Sequence, residues 1–175
     1  YTEEEYISNN NPVPNNYCIS KRLLSEYVNQ KINRTNFVIT HLVLPNVYGV
    51  GENDSRIIPY VVESIKKKKP ISLSSGTQIR QYLHVKDVAD VVKKIIDQPR
   101  SGIYNLGNRD ILSIRELVQL IISETTNNQS INIEFGRNMH KDVFMQFLAL
   151  NIDKVENELN WKASVSLQEG IREYF

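Results

Sequence analysis

One cysteine, Cys18, in 175 residues leaves nothing for an internal disulfide to join and rules out a cysteine-rich metal cluster. An excess of one charge is also missing. The 21 Lys+Arg offset 20 Asp+Glu for a formal net charge of +1, which argues against a nucleic-acid binder held by a basic face. No apolar run approaches the ~18 residues that a membrane-spanning helix needs. The opening Tyr1-Thr2-Glu3-Glu4-Glu5 lacks the basic start and apolar core of a secretory signal. His41, His84 and His140 show no metal-ligand spacing. An initiator Met is absent too. What is present, 41% hydrophobic and 23% charged residues, fits a soluble globular chain of about one domain. The cytoplasm is its default compartment, and neither nucleic acid nor a membrane is an expected partner.

Hydrophobic periodicity sets out an α/β order. Residues 1–16, ending in the Asn-rich stretch Asn9 to Asn16, read as a surface loop that enters a helix through an Asn cap. Leu23, Leu24, Tyr27, Val28 and Ile32 recur at helical spacing from Tyr17 to about Ile32. The run Phe37 to Leu44, closed by Pro45, predicts a strand buried on both faces of a parallel sheet. After a Gly-containing loop from Asn46 to Asp54, Ser55 is the expected cap of a helix through Ile65. That helix ends in four lysines, which suit its dipole, and Pro70 stops it. Short strands are expected at 71–73, 81–85 and 102–106, with a helix over 87–96. Ser113-Ile114-Arg115-Glu116 and Ser166-Leu167-Gln168-Glu169 are two capping boxes, each opening a helix, and a further helix is expected over 152–159. One buried strand with short satellites is a poor sheet, so the pattern reads as part of a doubly wound fold.

Tyr17 and Lys21 stand four residues apart at a helix start, so both project from one face. An ammonium beside a phenol favours the phenolate, lowering a pKa that starts near ~10 and giving a proton donor or acceptor usable at neutral pH. The spacing alone is weak: Tyr27/Lys31 and Tyr82/Lys86 repeat it, and those pairs read as mid-helix and strand-edge residues. Cys18 has no histidine near it in sequence to activate it and reads as a small buried helix residue. Asp87 reads as a helix N-cap, Tyr48 and Tyr82 as packing residues, and Arg80 taken alone as an ordinary exposed arginine.

Context changes the weight of these residues. Pro12-x-Pro14-Asn15-Asn16-Tyr17-Cys18-Ile19-Ser20-Lys21 resembles the active-site segment of the extended short-chain dehydrogenase/reductase family, the NAD(P)-dependent enzymes that modify nucleotide sugars. Further matches follow in order: Leu44-Pro45-Asn46-Val47-Tyr48-Gly49, then Ile57-Ile58-Pro59 with Gly76-Thr77-Gln78-Ile79-Arg80 through Val85-Lys86-Asp87-Val88-Ala89, then Tyr104-Asn105-Leu106-Gly107, then Leu159-Asn160-Trp161-Lys162. Five ordered segments are far more specific than any one of them.

The resemblance implies roles. Tyr17 would be the catalytic acid/base, and Lys21 would hold the nicotinamide ribose and lower the tyrosine pKa. Pro45 would pack near the nicotinamide. Asn46 would hydrogen-bond the substrate diphosphate or sugar, and Arg80 would pair with the diphosphate, whose oxygens suit a guanidinium fork. Arg137, in Phe135-Gly136-Arg137-Asn138, matches a family arginine that contacts the nucleotide.

Two family features are missing from the sequence: the Gly-x-x-Gly-x-x-Gly turn that receives the cofactor pyrophosphate, and the Ser/Thr-rich strand end before the tyrosine segment. The expectation is therefore the C-terminal portion of a longer enzyme, without the N-terminal βαβ cofactor half. Residues 1–45 would be a remnant of the cofactor-binding domain. Residues 46–175 would be mainly a small α/β substrate-binding lobe, with 80–108 returning to the cofactor-binding sheet. The expected activity is that of an NAD- or NADP-dependent nucleotide-sugar epimerase or reductase working by hydride transfer at a sugar carbon. The portion alone would be inactive and would bind neither cofactor, and the whole enzyme would be a homodimer packed through the Tyr17 helix. The alternatives are a nucleotide-sugar 4,6-dehydratase, or a non-catalytic binding or regulatory module of the same descent.

Overall fold

The structure, a computed structural model, describes residues 1–8, 15–125, 131–137 and 146–175. The Pro12-x-Pro14 part of the tyrosine segment, Asn138 and His140 lie outside the described residues.

The chain opens with α1 (Glu3–Ser8) and α2 (Asn16–Ile32), followed by β1 (Thr40–Val43) and β2 (Asn46–Tyr48). Next come α3 (Ile57–Lys66), β3 (Ile71–Leu73), β4 (Ile79–His84), α4 (Val85–Asp97) and β5 (Gly102–Asn105). β6 (Ile111–Ser113), α5 (Ile114–Ser123), β7 (Ile133–Phe135), β8 (Phe147–Leu148), α6 (Asp153–Leu159) and α7 (Leu167–Arg172) complete it. Parallel pairing dominates: β1 with β5, β2 with β4, β3 with β7, and β8 with β4. Among the described residues only β4 and β6 run antiparallel. This is the mixed α/β architecture expected of part of a doubly wound sheet.

Capping explains most helix starts. The Asn15 side chain accepts from Cys18 N, and Ser113 and Ser166 form complete capping boxes with Glu116 and Glu169. The opening residues depart from the expected loop. Thr2 N donates to Glu5 Oε2 at 2.8 Å and Glu5 N to Thr2 Oγ1 at 3.2 Å, so Thr2-x-x-Glu5 is a capping box too, and it starts α1. Ser55 does not cap α3; its hydroxyl bonds Asn53 Oδ1 at 2.7 Å, and Arg56 holds the cap position with no side-chain capping bond. Asp87 is not a cap either. His84 caps α4 through its ring, while the buried Asp87 carboxylate accepts from Ser164 N and Oγ (2.9 and 2.8 Å) and ties α4 to the approach to α7. Cys18 is half-buried rather than buried.

The expected long buried strand at 37–44 is the largest departure. Only Thr40–Val43 pairs, and with one neighbour, while Phe37 is 78% and Val38 57% exposed. A run buried on both faces needs sheet on both edges, and among the described residues β1 has sheet on one.

Among the described residues three apolar cores organise the rest. The largest gathers Ile58, Val61 and Val62 of α3, Ile71 and Leu73 of β3, Leu117, Val118 and Ile121 of α5, and Leu167 and Ile171 of α7 around Tyr48 and Tyr82. A second joins Leu83, Val91, Tyr104, Leu106, Val155 and Trp161. The smallest holds Val43, Ile103 and Leu150, with Tyr6, Ile7, Val28 and Ile32 packed on it.

Candidate active site

Tyr17, Lys21 and Ser25 follow one another at intervals of four, so they form one stripe along α2. Its far end is anchored. Ser25 is the one buried residue of α2; its hydroxyl donates to Lys21 O at 3.1 Å and stands 2.8 Å from His41 Nε2 on β1. A hydroxyl that gives its proton to a carbonyl accepts from the ring, so the bond assigns the proton to Nε2. Burial, and after it the positive charge of Lys21, pulls His41 below its ordinary pKa, keeping it neutral and suited to that bond. At the near end Lys21 Nζ lies 5.3 Å from the centroid of the Tyr17 ring, within cation–π range. Tyr17 is 68% exposed.

From Ser25 back to Tyr17 the helix climbs ~12 Å at ~1.5 Å per residue. From His41 to Pro45 the strand climbs ~13 Å at ~3.3 Å per residue. Because α2 reverses into β1 through residues 33–39, both climbs lead to the C-terminal edge of the β1–β5 pair. That edge is where open α/β sheets place their ligands.

Pro45 carries the chain from β1 into β2 at the same edge. Asn46 follows, stands opposite Tyr82 in the parallel β2–β4 register, and donates from Nδ2 to Gln81 O at 3.2 Å. Beside it opens a cleft of about 260 Å³ lined by Asn46, Glu52, Arg56, Arg80, Tyr82 and Ile114, among others. Arg80 is half-buried, and its Nη1 donates to Ile79 O at 2.8 Å. Burial pulls its guanidinium below the ordinary arginine value, and no carboxylate pairs with it among the described residues. A desolvated cation without a counter-ion in a cleft wall is a site that an anion would complete.

The structure thus brings Asn46 and Arg80 to one cleft and keeps Tyr17 and Lys21 together on α2. Arg137 stands apart: it is exposed, pairs with Glu134 at 2.8 Å, and does not line the cleft. Pro45 adjoins Asn46 in sequence but is not in the lining. Glu52, Arg56 and Tyr82 also line the cleft, although no motif marks them for binding. Their one sequence signal is position, in the loop after Asn-Val-Tyr-Gly and in the strand paired with it.

The family model for "NAD dependent epimerase/dehydratase family" matches residues 2–107. The chain belongs to the NAD-dependent epimerase/dehydratase family. Among curated proteins it is similar to CDP-abequose synthase of Salmonella typhimurium, 25% identical over 162 residues, covering 90% of this chain and 54% of the relative. Among solved structures it is similar to Bacillus anthracis dTDP-glucose 4,6-dehydratase in complex with NAD, with a TM-score of 0.79 at 22% identity, covering 99% of this chain and 58% of that one. Thermotoga maritima UDP-glucose 4-epimerase with UDP-glucose matches at a TM-score of 0.77 and 20% identity, over 90% and 51% of the two chains. This member of the epimerase/dehydratase family spans about half the length of these relatives.

The cofactor fit divides accordingly. Tyr17 and Lys21, exposed on α2 beside the sheet edge, suit the nicotinamide-ribose end of a dinucleotide. No glycine-rich turn in this sequence offers the pyrophosphate its backbone amides.

Proposed function

We propose that this chain carries the acid/base pair and the nucleotide-sugar cleft of an NAD(P)-dependent nucleotide-sugar epimerase or reductase. The observation that carries the reading is Arg80, half-buried without a carboxylate partner, in one cleft with Asn46. That cleft adjoins the sheet edge to which the Tyr17–Lys21 stripe points. The family membership and the nucleotide sugars named for the relatives support the same substrate class.

In this reading the Arg80 fork takes the diphosphate oxygens. Asn46 donates to the diphosphate or the sugar, and the sugar extends toward Pro45 and α2. Tyr17 moves the proton of a sugar hydroxyl. Lys21 holds the nicotinamide ribose. NAD or NADP, when bound, supplies the hydride chemistry; Tyr17, Lys21 and Pro45 would face its nicotinamide end, with the phosphate-holding half contributed outside this sequence. Arg137, exposed and paired with Glu134 outside the cleft lining, is given no binding role in this reading. The exposed Leu23, Leu24 and Tyr27 of α2 support a homodimer that packs this helix against its copy.

Tyr17→Phe in the whole enzyme tests the acid/base role. Removing a positioned proton donor costs about 10²–10⁴ in rate. Turnover of a nucleotide-sugar panel should fall by that order with substrate KM little changed, whereas undiminished turnover contradicts the role.

A further inference from the structure

Tyr174 lies outside the cleft lining, yet it is bonded to the wall. Its Oη accepts from Gly49 N at 2.9 Å and donates to Glu52 Oε1 at 2.6 Å. The other carboxylate oxygen of Glu52 faces Arg56 Nε at 3.6 Å, and Arg56 Nη2 reaches Val47 O at 3.5 Å. Next to Tyr174, Glu173 pairs with Lys86 at 2.6 Å and pins the segment to the first turn of α4. Tyr174 therefore has both hydrogen-bonding directions filled, one by the loop backbone and one by the Glu52 carboxylate.

The arrangement matters because Glu52 is an anion in the wall of a cleft read as an anion site. Left loose, its carboxylate would be free to swing toward Arg80 and compete with a phosphate for it. Held by Tyr174, it keeps one oxygen against the wall and uses the other to aim Arg56. Burial, followed by the hydrogen bond and charge of Glu52, raises the Tyr174 phenol above its ordinary value, so it remains a donor at neutral pH.

We propose that Tyr174 is a positioning residue of the cleft: by holding one oxygen of Glu52 to the loop while the other stays on Arg56, it keeps the carboxylate off Arg80 and leaves that cation for the diphosphate of a nucleotide sugar. This rests on the cleft reading above.

The test is calorimetric titration of the 175-residue chain with UDP, CDP and dTDP as probes. Tyr174→Phe keeps the ring and removes the bond, and should raise Kd for the preferred probe about three- to tenfold. Adding Glu52→Gln to Tyr174→Phe removes the carboxylate that was released and should restore binding to within about twofold of the unaltered chain. A merely structural tyrosine would not be rescued in that way. Glu52→Gln alone still accepts from Tyr174 and should bind as well or better. Unchanged binding by Tyr174→Phe, failure of the rescue, or weakened binding by Glu52→Gln each overturns the positioning role. If Arg80→Ala abolishes binding while Tyr174→Phe leaves it unchanged, that role alone falls. A chain that binds none of the probes, or whose binding survives Arg80→Ala, overturns the cleft reading and the positioning role together.

Discussion

Two helices of this chain carry their chemistry under opposite conditions. α2, with 17 residues, buries one of them, Ser25, and presents Tyr17, Leu23 and Tyr27 more than half exposed. α3, with 10 residues, buries Ile58, Pro59, Val61, Val62 and Ser64. The cleft beside α3 is therefore shaped by packing within the described residues, while the stripe on α2 is held by the Ser25–His41 bond and by Val28 and Ile32 packed on the smallest core. The proposed binding and proton-transfer geometries therefore rest on supports of different strength, and substitutions separate them.

The widest gap is in stability. Leu117→Ala, in the largest core with no exposed surface, should cost about 2–5 kcal/mol. Leu23→Ala, 56% exposed on α2, should cost less than about 0.5 kcal/mol. Urea unfolding of both variants measures the gap, and equal losses would erase the distinction between the two regions.

Ligand affinity comes next. Arg80→Ala should weaken nucleoside-diphosphate binding about 10- to 100-fold, the loss expected for hydrogen bonds to a charged group. Arg137→Ala should change it by less than about twofold, since that arginine is exposed and already paired with Glu134. A larger effect from Arg137 than from Arg80 would move the anion site to β7.

Capping gives a smaller effect with a pH signature. Ser113→Ala and Ser166→Ala should each cost about 1 kcal/mol. Glu116 is held below the ordinary carboxylate value first by its backbone bond from Ser113, and Glu169 first by the Ser166 hydroxyl. A lowered folded-state pKa means that the contribution is complete above the unfolded value, about 4.5, and is lost as pH falls through the lower folded one. Thermal melts of wild type and the serine variants should converge as pH drops below about 4.5; a gap that widens there would contradict the boxes.

Sequence legibility follows the same division. The capping boxes at Ser113 and Ser166, the helix from Tyr17 and the strands at 71–73 and 102–105 were readable because local hydrogen bonding and periodicity decide them. The box at Thr2 obeyed the same rule but sat in a polar stretch with no apolar period behind it. The run 37–44 misled because composition reports the burial a strand can accept, not how many neighbours it has. In the candidate site, Tyr17, Lys21, Asn46 and Arg80 stood out through ordered segments, and the structure keeps the first two together on α2 and the last two in one cleft. Glu52, Arg56 and Tyr174 did not stand out: Tyr174 meets Glu52 across 122 positions, and no local pattern encodes a contact of that range.

The most direct test of the cleft is amide chemical-shift mapping of this chain titrated with UDP, CDP and dTDP. Saturable shifts are expected for at least one of them, centred on Asn46, Gly49, Arg80 and Tyr82 and small at Tyr17 and Lys21, which in the proposed reading face the sugar end. Shifts centred on another surface, or none at any concentration for all three, would contradict it.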